Sequence, residues 1–198
     1  MTEIITINVP SMVLIGSTGK NVGKTVAACS IIKALKQKMP VIALKVTTAD
    51  RHGTSCHRGG DGCGACIFGQ DFVLEEETDP TAAKDTARLL AAGAERVFWL
   101  RAKSDHLASG FKAFLAKIPN QSFIVVESNS LREVVKPGVF IMMVNTNERY
   151  KPSALKVLPY ADLTIENEGT ISLADAEDLV KSLVVKDGAQ ICLENGQY

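Results

Sequence analysis

Gly16-Ser17-Thr18-Gly19-Lys20-Asn21-Val22-Gly23-Lys24-Thr25 lies between an apolar run, Met12 to Ile15, and a helix-forming segment that runs to Lys38. A buried strand, a glycine-bearing loop, Gly-Lys-Thr and a helix form an arrangement that cradles a phosphate chain. The residue types follow from the chemistry. Main-chain N–H groups from Gly19 through Lys20, Asn21, Val22 and Gly23 to Lys24, Thr25 and Val26 would face phosphate oxygens at a helix N-terminus. Lys24 would reach the β- and γ-phosphates, and the Thr25 hydroxyl would bind Mg²⁺. The glycine that usually opens such a loop, five residues before Gly23, is replaced by Thr18, with Gly16 and Gly19 on either side to supply the turn.

Outward from this stretch, strands alternate with helices. Apolar runs at Val41–Val46, Val97–Leu100, Phe123–Val126 and Val139–Val144 read as buried strands, with shorter ones at Phe72–Leu74, Leu163–Ile165 and Ile191–Leu193. Helical spacing marks 24–38, 81–92, a helix capped by Ser104, a short one over 153–158, and a last one capped by Ser172 that reaches Leu183. Asp79-Pro80 reads as N-cap and first position of the second helix, and residues 1–11 as an extended lead-in. The expectation is a three-layer α/β/α fold with a mostly parallel sheet, in one domain over residues 1–198 with a Cys/Gly-rich insert at about 50–70.

The chain has 22 basic and 22 acidic residues, a balance that gives no nucleic-acid footprint. No secretory signal and no membrane-spanning run is visible, so the expected location is the cytoplasm. In that reducing compartment, three of the five cysteines fall within eleven residues, Cys56 to Cys66. Cys63-x-x-Cys66 lets two thiolates grip one ion, Cys56 adds a third ligand, and His57 or His52 a fourth, a tetrahedral zinc set. An iron–sulfur cluster with one ligand from elsewhere stands second, and a dithiol–disulfide pair or a site shared across a homodimer are further alternatives. Cys29 and Cys192 read as packing residues.

A Mg²⁺-nucleotide site at strand ends calls for a carboxylate. Glu127, closing the strand Phe123–Val126, is the first candidate, and Asp50, just past strand Val41–Val46, the second.

The Gly16–Thr25 wording resembles P-loop NTPases, in the branch that holds dethiobiotin synthetase, the ParA/MinD-like ATPases and metallochaperone GTPases. Where the ATPases carry a signature lysine this chain has Gly19, with Lys20 one place later. A nearer likeness, over residues 12–145, is to the molybdopterin-guanine dinucleotide biosynthesis B family. It rests on the P-loop, a strand ending near Lys45, Lys84-Asp85-Thr86-Ala87-Arg88, Ala92-Gly93-Ala94, and the strand ending in Glu127. The resemblance implies GTP or ATP binding with slow hydrolysis during molybdenum-cofactor or metal-centre maturation, alongside a protein partner, with Asp85 and Arg88 facing the nucleotide or its substrate. Asn145-Thr146-Asn147-Glu148 is similar to the guanine-reading Asn-Lys-x-Asp of GTP-binding proteins, which would bring Asn145 to the base. Two departures stand out: Val46-Thr47-Thr48 replaces a His-rich segment, and Ser128 replaces a glycine. The alternative is a small-molecule kinase or ATP-dependent ligase, with Ser128-Asn129-Ser130, Asp85 and Arg88 holding an acceptor. A nucleotide-binding adaptor without useful catalysis is a third reading.

Overall fold

Burial of alternate residues on two faces organises the chain. In the computed structural model, which describes residues 6–48, 69–168, 171–188 and 190–194, the central strand β1 (Ile7–Ser17) turns Val13 and Ile15 to one side and Met12 and Leu14 to the other. All four are fully buried. A strand apolar on both sides requires a layer of helices on each face.

Among the described residues, seven strands form one sheet in the order β3-β4-β2-β5-β1-β6-β7. Here β2 is Val41–Thr48, β3 Phe72–Glu77, β4 Arg96–Ala102, β5 Phe123–Glu127, β6 Val135–Asn145 and β7 Leu163–Asn167. Every pairing is parallel except β3 with β4 at one edge. Helices α1 (Lys24–Leu35), α2 (Asp85–Ala91) and α5 (Leu173–Ser182) share a core with Val13, Ile15, Ala43 and Val125. Helices α3 (Leu107–Leu115) and α4 (Pro152–Val157) pack the opposite face with Met12, Leu14, Leu44 and Val126. The architecture is therefore α/β with helices on both sides of a mostly parallel sheet.

The two-residue period carries further. Phe123 and Val125 of β5, and Val41 and Ala43 of β2, face α1. One pleat on, Glu127 and Lys45 continue that face, in register across the β5–β2 pair. The sheet thus turns from apolar to charged at its C-terminal end, beside the start of α1.

Several boundaries differ from the sequence expectation. β1 begins at Ile7, within the expected lead-in; Pro10, which lacks an N–H, falls where the β1–β6 register shifts between Val9 and Val13. Helix α1 stops at Leu35, three residues short of Lys38. Helix α2 begins at Asp85 instead of Thr81. Asp79 spends its oxygen on a tight turn, accepting from Thr81 N at 2.8 Å and Thr81 Oγ at 2.6 Å. Glu77 meanwhile draws in Lys84 at 2.7 Å and Thr86 at 2.6 Å, which sets the helix start beside them. Helix α5 is capped by Ser172, as its sequence predicts, with Ser172 Oγ accepting from Asp175 N at 3.1 Å. It ends at Ser182, and Leu183 opens β8 (Leu183–Lys186), which pairs antiparallel with β9 (Gln190–Leu193) in a separate two-stranded sheet. The expected strand at Ile191–Leu193 thus joins this hairpin and not the main sheet.

Candidate functional site

Parallel strands on both sides carry β1 to its end at Ser17, and the chain then crosses to α1 through Thr18–Gly23. The Asn129 side chain and main-chain groups of β6 and Lys151 hold this crossing. Asn129, just past β5, accepts from Ser17 N at 2.8 Å and donates to Ser17 O at 2.9 Å. Thr18, 1% exposed, is bound through three groups. Its N–H donates to Met143 O at 3.0 Å, its carbonyl accepts from Lys151 N at 3.0 Å, and its hydroxyl accepts from Asn145 N at 2.9 Å. The residue that departs from the usual glycine pattern therefore ties the loop to the end of β6. Gly23 closes the loop at φ +84°, and a Cβ there would lie 2.8 Å from Ile171 N. A left-handed residue in contact with backbone is a glycine position.

From Gly19 to Val26 no main-chain N–H has a hydrogen-bond partner among the described residues. The last three open α1, where such groups carry the positive end of the helix dipole. A cavity of about 660 Å³ opens against them. Lys24 reaches back along its wall and donates to Ser17 Oγ at 2.6 Å, while Ser17 Oγ donates to Gly19 O at 2.8 Å. Burial pulls the Lys24 ammonium below its ordinary pKa, against the opposing pull of Glu127 and Asp85.

Glu127 projects into the same cavity and is 4% exposed. The Thr25 hydroxyl lies beside its carboxylate and favours the charged form, yet Glu127 Oε1 is buried with no partner. Burial first, and the Asp85 charge second, push the Glu127 carboxyl above the usual range. A hydroxyl and a carboxylate with one orphaned oxygen make a hard-oxygen pair that suits Mg²⁺. Asp85 forms an ion pair with Lys45. Burial works to raise the Asp85 carboxyl, but the Lys45 hydrogen bond and charge, with Arg88 and Lys24 behind them, hold it below its ordinary value.

The structure brings together most of the residues singled out from sequence. The main chain from Lys20 to Val26, Glu127, Asp85 and Arg88 all line the cavity. Gly19 and Asn145 lie outside its lining. Gly19 sits against Glu148, whose Oε2 would be 2.7 Å from a Cβ at that position. Asn145 is 4% exposed and its Oδ1 accepts from Asn147 N at 2.9 Å, within its own turn. Asp50, His52, Cys56, His57, Cys63 and Cys66 fall outside the described residues. Among the described residues no group of three or more His, Cys, Asp or Glu is placed to hold a metal ion, and no helix is long and apolar enough to cross a membrane.

Sequence reasoning missed Lys45, Thr48, Ser17 and Lys151, all of which line the cavity. One signal was present: Lys45 is the only charge within the apolar run Val41–Val46. No protein-family model, no curated protein and no solved structure matches this chain.

Proposed function

We propose that the chain binds a Mg²⁺-nucleoside triphosphate, GTP or ATP, on the Gly16–Thr25 loop in the manner of a P-loop NTPase. One observation carries this reading. Successive N–H groups from Gly19 to Val26 have no partner among the described residues, and from Lys20 onward these residues line a cavity with Glu127. Such a run is a ready anion cradle. Thr25 and Glu127 would hold the Mg²⁺, which when bound neutralises charge on the phosphates. Lys24 orients toward them, Ser17 positions Lys24, and Asn129 fixes Ser17.

The wider role is that of an accessory protein for molybdenum-cofactor or metal-centre maturation, with slow hydrolysis and a protein partner. Its support is the sequence likeness around Lys84–Arg88 and the cysteine segment, read as a zinc ligand set before an iron–sulfur one. A second reading, a small-molecule kinase or ATP-dependent ligase, is favoured by the cavity's extension past the loop to Lys45, Thr48 and Ser130.

Calorimetric titration with Mg²⁺-GTP and Mg²⁺-ATP tests the core of the proposal. Saturable binding is expected, weakened about 10- to 100-fold by Lys24→Ala, as fits loss of a charge-assisted contact. Thr25→Ala should remove the dependence on Mg²⁺. Heat from neither nucleotide overturns it. Metal content after purification without added metal tests the cysteine segment separately, with a stoichiometric ion expected that Cys63→Ser removes.

A further inference from the structure

The cavity continues beyond the loop. Glu127 stands on β5, between β1 and β2, so Lys45 on β2 lies across Glu127 from the loop. Lys45, Thr48, Asp85, Arg88 and Ser130 line this far half. Among the described residues its charged groups with hydrogen bonds left to give are cations. An ammonium carries three donors and no acceptor, and Lys45 gives one of them to Asp85. The Arg88 guanidinium, a donor-only fork, has no hydrogen bond or ion pair among the described residues. Thr48 Oγ and Ser130 Oγ lie 3.0 Å apart and share one hydrogen bond, which leaves one hydroxyl hydrogen to give. Among the described residues the carboxylates beside this half are Asp85, already turned to Lys45, and Glu127, which the proposed Mg²⁺ would take up.

Charge gives the same answer. Lys20, Lys24, Lys45, Arg88 and Lys151 line the whole cavity, against Asp85 and Glu127. Lys20 and Lys24 stand on the loop, beside its N–H groups. Lys45 stands beyond Glu127, and Arg88 lines the cavity near Asp85. A neutral occupant of that half would strip water from both cations and return at most hydrogen bonds without an opposing charge. An oxyanion would return charge-assisted hydrogen bonds.

Resting on the nucleotide reading above, we infer that this half of the cavity is a second subsite, for a small ligand bearing an oxyanion: a carboxylate or a phosphate monoester. Lys45 and Arg88 are its counter-charges, and the Thr48–Ser130 hydroxyls a further donor. Asp85 is a positioning residue that holds Lys45 at the cavity wall. The chemistry selects against a cationic or uncharged partner molecule.

The test uses the full chain saturated with Mg²⁺ and the β,γ-imido analogue of the triphosphate it binds, so that the loop is filled. Inorganic phosphate is titrated calorimetrically in one arm and acetate in the other, which distinguishes the two sources of oxyanion. Saturable uptake of at least one is expected. Lys45→Met should weaken it about 10-fold or more, as fits a lost charge-assisted bond, with triphosphate affinity held within about 2-fold. Lys45→Arg should restore it. Arg88→Met, at an exposed position, is a second variant that leaves the core intact and should weaken uptake likewise. The inference is overturned if the loaded protein takes up neither oxyanion, if both variants bind like the parent, or if Lys45→Met weakens the triphosphate as much as the oxyanion. Failure of the triphosphate itself to bind appears before any oxyanion is added. It therefore marks failure of the nucleotide reading, and the second subsite falls with it.

Discussion

Asn129 holds Ser17 by both edges of its peptide, accepting from the N–H at 2.8 Å and donating to the carbonyl at 2.9 Å. The carboxamide thus takes the place of a neighbouring strand at the point where β1 leaves the sheet. Asn129→Ala would leave a buried N–H and a buried carbonyl unpaired, at about 1–3 kcal/mol for each unsatisfied group. A fall in Tm of about 2–4 °C per kcal/mol is expected for a chain of this size, measured by thermal unfolding. Asn129→Asp should also destabilise, because it keeps the acceptor for Ser17 N but sets a carboxylate oxygen against Ser17 O.

Thr18 is a structural substitute for the glycine that usually stands in this position. Thr18→Val keeps the shape and removes the hydroxyl that accepts from Asn145 N. A loss of about 1–3 kcal/mol is expected from the orphaned N–H. Thr18→Gly, which restores the usual pattern, should also lower Tm. An unchanged or raised Tm for Thr18→Gly would show that the tether to β6 contributes nothing.

Glu127 sets a pH dependence with a definite sign. Its folded pKa lies above the unfolded value, chiefly through burial. The stabilising contribution is therefore complete below the ordinary carboxyl range and is lost as pH rises through the folded pKa. The ligand-free chain should gain stability on acidification from neutral pH through that window. Asp85, held below its ordinary value, acts oppositely: its contribution is present above the unfolded pKa and is lost as pH falls through the folded one. Glu127→Gln should raise the ligand-free Tm by about 2–6 °C at neutral pH and flatten the acid-side rise. It should also abolish the extra stabilisation given by Mg²⁺ with nucleotide. Thermal unfolding across pH, with and without Mg²⁺-nucleotide, measures all three.

Gly23→Ala imposes a left-handed conformation on an L-residue, at about 1–2 kcal/mol, and pushes a methyl to 2.8 Å from Ile171 N. The backbone of residue 171 must shift to make room. A lower Tm and a loss of nucleotide affinity are expected together, because Gly23 also begins α1. Stability lost with affinity intact would separate the glycine from the site.

The parts of the fold that depend on local pattern were legible. Met12–Ile15 and Phe123–Val126 are apolar on both faces, and that alone placed them in a covered parallel sheet. Glu127 is legible because a Mg²⁺-nucleotide site calls for a carboxylate at the end of such a strand. Lys45 is a charge within an apolar run, but its meaning depends on Glu127 lying beside it, and strand neighbours are not encoded in spacing. Ser17 and Asn129 are 112 residues apart, so neither predicts the other. The Asp79-Pro80 signal failed for a different reason. It is a sound local cap, but Glu77 competes for Lys84 and Thr86 and sets the helix start four residues later.

The grip on Ser17 and Thr18 has a thermodynamic corollary. Ser17 and Thr18, pinned by five hydrogen bonds to Asn129, Met143, Asn145 and Lys151, have already surrendered most of their backbone entropy during folding. Capturing an anion then requires no further ordering of these two residues, which lowers the entropic cost of association. At Ser17 and Thr18 the chain has little room to move, so a signal from the cavity would leave through the residues beyond them.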